Sequence, residues 1–144
     1  MRVISHRGNI DGPKPLLENS IQYIINATKQ GYDVEIDVWY IDNKLYLGHD
    51  KPQYSVPLYF LKSNRDKFWC HAKNIEALEF MMNENIHCFW HQGDDVTVTS
   101  KGYIWTHSDT DVYTEKSIAC WIDAIGDQPN NVFGICSDYC SLIK

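Results

Sequence analysis

Two periods of apolar and polar positions take turns along this chain. Arg2 to Ser5 is a short apolar run that closes on His6-Arg7-Gly8 and reads as a buried strand. Residues 9–17 form a loop punctuated by Gly12, Pro13 and Pro15. Asn19 or Ser20 is then placed to cap a helix in which Ile21, Ile24, Ile25 and Thr28 recur at helical spacing, and Gly31 marks its end. Val34 to Tyr40 alternates strictly and is rich in β-branched side chains, which predicts a strand. Asp42-Asn43 turns the chain back into a second strand over 44–48.

The alternation continues downstream. Residues 55–67 predict a short helix and 67–72 a strand, and Asn74 caps a helix carrying Ile75, Leu78, Phe80, Met81 and Met82. A strand over 87–91 leads into a polar loop over 93–101 and another strand over 103–106. Thr114 is placed to cap a helix with Ile118, Trp121, Ile122 and Ile125, closed by Gly126, before a last strand over 132–136. Strands alternating with helices predict βα units and a mostly parallel sheet. No linker-like segment or repeat interrupts them, so residues 1–144 read as one domain.

Composition narrows the function classes. Of the 144 residues, 44% are hydrophobic and 13% aromatic, which predicts a packed core rather than disorder. The net charge of −6, with no Lys/Arg-rich run, argues against a nucleic-acid binder and against docking on anionic membranes through a basic patch. No stretch approaches the ~20 apolar residues of a membrane-spanning helix, and the opening residues lack the apolar core of a signal peptide. The expected location is the cytoplasm. The five cysteines, Cys70, Cys88, Cys120, Cys136 and Cys140, are scattered without a CxxC and read as free thiols.

Three local groups carry candidate chemistry: His6-Arg7-Gly8, Glu35-x-Asp37 and His49-Asp50. Each lies at the C-terminal end of a predicted strand or just beyond it, the end at which parallel α/β folds bind ligands. Glu35 and Asp37 are two apart on a strand and share a face, opposite Val34, Ile36 and Val38. Two carboxylates facing inward together call for a cation, and hard, oxygen-loving Mg²⁺ or Ca²⁺ fits them. The bland alternative is a solvated sheet face. His6 and His49 titrate near neutrality and suit acid/base work, and Arg7 offers a fork to phosphate oxygens. His91, in the run His91-Gln92-Gly93-Asp94-Asp95, and Trp105, with Trp90 and His107, are candidates for a substrate pocket; the competing readings are a polar loop and ordinary core aromatics.

Together, His6-Arg7-Gly8, Glu18-Asn19-Ser20, the run from Gly31 to Val38 and His49-Asp50 resemble the signature of glycerophosphodiester phosphodiesterases over about the first fifty residues. The resemblance implies a TIM-barrel-like fold with a divalent metal at its mouth, Glu35 and Asp37 as ligands, His6 and His49 as the acid/base pair, Arg7 on the phosphate and Glu18 supporting the site. Trp69 to Asn74 looks like the family's third strand, in which a Glu-x-Lys pair is usual. Lys73 matches the phosphate-binding lysine, while His71 stands where a third acidic ligand is expected. An imidazole there shifts the expected metal toward Mn²⁺ or Zn²⁺. Residues 104–106 and 133–139 resemble the last two family strands, so the chain looks like the two ends of a barrel without its middle.

Eight βα units need ~250 residues, so the expectation is a reduced TIM-barrel-like parallel α/β fold of about six strands. It would be either a small barrel or an open curved sheet that covers its edges as a homodimer. The expected substrate is a small phosphodiester, a glycerophosphodiester or a phospholipid head group. The alternative is a degenerate, non-catalytic module that binds phosphate, sugar phosphate or protein on the same fold.

Overall fold

The computed structural model describes residues 1–107, 110 and 112–144. Ten strands form one mixed sheet: β1 (Arg2–His6), β2 (Asp33–Ile41), β3 (Lys44–Leu47), β4 (Tyr54–Val56), β5 (Phe68–Ala72), β6 (Cys88–Phe89), β7 (Val96–Val98), β8 (Ile104–Thr106), β9 (Ser117–Cys120) and β10 (Gly134–Ser137). Among the described residues three short α-helices accompany them, α1 (Ile21–Lys29), α2 (Leu58–Ser63) and α3 (Ile75–Asn83), with a single 3-10 turn at Cys140–Leu142. The order β6-β5-β2-β1-β10-β9-β8 is parallel throughout. The β2-β3-β4 meander and the β7–β8 pair are antiparallel additions.

This architecture corrects the expected reduced TIM-barrel-like fold of about six parallel strands. The sheet is mixed, has ten strands, and curls into a half-barrel with few helices. All three α-helices precede residue 84, and no helix is found among the described residues between β6 and β10. The predicted helix from Thr114 to Gly126 is the main misreading. Thr114 closes a tight turn with Ser117 instead, its N–H donating to Ser117 Oγ at 2.9 Å. Ser117 to Cys120 are all buried and pair with β8 on one side and β10 on the other. A four-residue apolar run fits helix and strand periods equally, and here two waiting strand edges decide it. Similarly, Val96–Val98 inside the predicted polar loop pairs with β8, and the expected helix over 55–67 splits into β4 and α2.

The N-terminal half follows its sequence closely. α1 lies where the spacing of Ile21, Ile24 and Ile25 places it, and Asn74 caps α3 by accepting the Ala77 N–H at 3.1 Å. Asp42 and Asn43 both have positive φ, 50° and 62°, as a type I′ hairpin turn requires.

Two apolar clusters occupy the two faces of the sheet. On the outer face Val34, Ile36 and Val38 of β2 pack with Phe68 and Cys70 of β5 under Ile24, Leu61 and Met81 of the helices. On the inner face Ile4, Trp69, Phe89, Trp105, Ile118 and Cys136 come from six different strands and meet in the hollow of the curl. Among the described residues no helix is long and apolar enough to cross a membrane.

Candidate metal and acid/base site

Because side chains alternate along a strand, the residue two positions after each inner core residue points into the same hollow, one layer nearer the C-terminal mouth. Ile4 is followed by His6, Trp69 by His71, Phe89 by His91, Trp105 by His107, and Cys120 by Ile122. β2 departs from the pattern, placing Glu35 and Asp37 in both layers. All of these second positions line one cavity of about 250 Å³, together with Arg7 and His49. The sequence-predicted residues His6, Arg7, Glu35, Asp37, His49, His71, His91 and Trp105 are therefore brought together. Trp90 instead packs with the outer cluster.

Glu35, Asp37 and His71 each offer a ligand atom, and the three atoms lie within 4.8 Å of one another. That is about twice a divalent metal–oxygen distance, so one ion can reach all three. His71 Nδ1 is 3.5 Å from Asp37 Oδ1 and 3.9 Å from Glu35 Oε1. Its other nitrogen, Nε2, faces the His91 backbone oxygen at 3.4 Å. A carbonyl can only accept, which assigns the proton to Nε2 and turns the Nδ1 lone pair toward the two carboxylates. Burial holds the imidazole's pKa down to about 4, so it is neutral near pH 7, the form that ligates metals. Asp37 Oδ1 and Glu35 Oε2 are buried without a hydrogen-bond partner. Asp37 Oδ1 faces the His71 lone pair and Glu35 Oε2 faces His6 Nε2, and unpaired buried carboxylate oxygens set against imidazole lone pairs are costly unless a cation joins them, so the donor set fits a divalent metal.

The two carboxyls differ electrostatically. Burial and the charge of Asp37 push Glu35 well above the usual carboxylate range. Burial acts on Asp37 in the same sense, but His49, Arg7, His71 and the Asn19 amide outweigh it and bring Asp37 down to about 2. Asn19 grips Asp37 at both ends: its Nδ2 donates to Oδ2 at 2.9 Å, and its Oδ1 accepts the Asp37 N–H at 3.0 Å. Asn19 is thus not the helix cap. It sits at φ 64°, a left-handed conformation that asparagine tolerates.

The histidines flank this acidic centre. His6 Nδ1 is 2.8 Å from Asp138 Oδ1, just past the end of β10. With that carboxylate accepting the Nδ1 proton, Nε2 is left unprotonated and faces Glu35 Oε2 at 3.9 Å. His49 Nδ1 is 2.7 Å from Arg7 Nη2. Arginine only donates, so the His49 proton sits on Nε2. Arg7 also reaches Glu18 Oε2 at 3.3 Å and Asp37 Oδ2 at 3.3 Å. Burial works against its charge, and the surrounding carboxylates more than restore it. The Arg7 backbone is left-handed at φ 57°, a strained conformation for a long side chain, and Gly8 follows at φ 97°, where a Cβ would lie 2.5 Å from the Tyr23 ring.

Asn9 ties the two arms together. Its Nδ2 donates to Glu18 Oε1 at 2.9 Å and to Asp138 Oδ1 at 2.8 Å, while its Oδ1 accepts from Tyr23 Oη and the Lys14 N–H. Lys73 does not line the cavity. It follows β5, its N–H bonds Val38 O at 2.9 Å, and its charge favours ionised Glu35. Sequence reading missed the roles of Asn9, Asn19 and Asp138. The one available signal was Asp138 at the end of a predicted strand, the position that marked the other candidates.

The chain matches no protein-family model, no curated protein and no solved structure.

Proposed function

We propose that this protein is a metal-dependent phosphodiesterase acting on a small glycerophosphodiester or a phospholipid head group. The observation that carries the reading is the pair of unpaired buried oxygens on Asp37 and Glu35, the first facing the His71 lone pair and the second the Asp138-anchored His6. Glu35, Asp37 and His71 would hold the ion; two oxygens and one imidazole suit Mg²⁺ or Ca²⁺, and Mn²⁺ or Zn²⁺ as well. A bound divalent ion supplies Lewis-acid stabilisation of charge on the phosphoryl oxygens. Arg7 adds positive charge beside the same group, and Lys73 adds to the positive potential from outside the cavity. His6 Nε2 takes the proton of the attacking hydroxyl, from water or from a neighbouring substrate hydroxyl, and Asp138 stabilises the imidazolium. His49, entering the step as its imidazolium, would protonate the departing alkoxide and return to the neutral form that accepts from Arg7.

The test is turnover of glycerophosphocholine and lysophosphatidylcholine by the purified chain, with Mg²⁺, Ca²⁺, Mn²⁺ or Zn²⁺ and with EDTA. We expect metal-dependent release of the alcohol, and a loss of ~10²–10⁴-fold in His6→Ala. Normal turnover in His6→Ala, or no turnover with any ion, sinks the reading. The second reading, a non-catalytic phosphate or sugar-phosphate module, draws on one observation. The Arg7 fork is already engaged by Glu18, Asp37 and His49. That reading predicts saturable phosphate binding without turnover.

A further inference from the structure

The opposite end of the curl holds a second cavity, of about 240 Å³, which the proposed reaction does not use. Its wall is aromatic: Trp69 and Tyr103 have ring centroids 5.2 Å apart, Tyr103 and Phe133 4.4 Å apart, and the His87 ring lies 4.5 Å from Trp69. Its rim is cationic. Arg2, Arg65 and Lys101 border it, and Arg65 and Lys101 make no ion pair among the described residues. The acidic group at its base, Asp33, accepts from Trp69 Nε1 at 3.1 Å and pairs with Arg2 and Lys67 at 3.4 Å each. The exposed Asp66 is the other acid there. In a chain whose net charge is −6, this end carries an excess of positive charge.

We infer that this cavity binds a small organic anion with a planar ring, the ring against Tyr103 and Phe133 and the anionic group between Arg65 and Lys101. Ring stacking suits the aromatic wall. A guanidinium and an ammonium without partners suit a phosphate or carboxylate. A cationic ligand is disfavoured, because Asp33 already pairs with Arg2 and Lys67 and three cations surround the entrance. The volume accommodates one ring system and one anionic group, not a polymer. The inference is independent of the phosphodiesterase reading, since none of these residues belongs to the metal and histidine site.

The probes are adenosine 5′-monophosphate and phenyl phosphate, with adenosine and inorganic phosphate as halves of the ligand. The readout is the Trp69 indole N–H resonance of the full chain, assigned with Trp69→Phe, in EDTA. At least one ring-bearing phosphate should shift this resonance saturably, and more tightly than either half. The exposed-site variants Arg65→Glu and Lys101→Glu should weaken that binding by about tenfold or more with thermal melts unchanged. If both ring phosphates leave the Trp69 resonance unmoved at millimolar concentration, or if the charge reversals leave the affinity intact, the inference is overturned.

Discussion

Asp138 Oδ1 lies 2.8 Å from His6 Nδ1, joining residues 132 positions apart because β1 and β10 run side by side in parallel register. The two side chains leave the ends of neighbouring strands on the same face, and Asn9 locks the carboxylate from behind. Asp138 therefore sets the tautomer of His6. Asp138→Asn leaves the shape intact but offers an amide where an acceptor belongs, favouring the wrong tautomer. We expect its turnover to fall by about 10²-fold or more with KM nearly unchanged. Equal kcat in variant and parent would remove His6 from the role of base.

The metal site can be tested without any substrate. Glu35 binds its proton more tightly folded than unfolded, because burial and Asp37 raise its pKa. In the metal-free protein its contribution to stability is present at low pH and is lost as pH rises through that raised value. Glu35→Gln removes the charge and keeps the shape. In EDTA at pH 8 it should melt above the parent, while added Mn²⁺ should raise only the parent, by a few degrees. A variant that still gains from Mn²⁺ shows that the ion sits elsewhere.

Asn9 is wholly buried and donates to two carboxylates, Glu18 and Asp138. Asn9→Asp replaces that donor with a third carboxylate in the same place. The expected cost is about 2–4 kcal/mol at pH 7, from repulsion and two lost hydrogen bonds, and it should shrink as pH falls below 5 and the cluster takes up a proton. Urea unfolding at pH 7 and pH 4.5 measures both. A cost that does not change with pH would mean that only shape is lost.

His87 predicts the opposite pH behaviour. It is buried with Nε2 2.7 Å from Thr99 Oγ1, and burial, aided by the Lys101 charge, lowers its pKa from 6.5 to about 4. The unfolded chain takes up that proton first. The contribution of His87 is thus complete above pH 6.5 and is lost as pH falls toward 4, amounting to on the order of 3 kcal/mol. Substituting His87→Gln removes this dependence, so the stability gap between parent and variant should narrow from pH 7 to pH 4.5. His71 shifts in the same sense in both proteins and cancels from the comparison.

The sequence revealed the residues that work through their own strand and concealed those that work across the sheet. Strict alternation over Val34–Tyr40 placed Glu35 and Asp37 on one face, with the valines and Ile36 under the helices, as found. Asn9, Asn19 and Asp138 act through contacts 9 to 132 residues away, which no local pattern encodes. The fold was misread for a related reason. Periodicity reports which residues want burial, and β9 satisfies its apolar run by pairing at two edges, not by laying a helix on a face.

The stacked interior separates two kinds of constraint. One layer, Ile4, Trp69, Phe89, Trp105 and Ile118, excludes water and joins the strands; the next, including His91, His107 and Ile122, meets whatever enters the mouth. Substitutions in the upper layer can alter selectivity while the cohesion of the domain stays with the lower one. An engineer wishing to retune this protein should therefore begin at residues 91 and 107, which line the mouth and lie outside the inner apolar cluster.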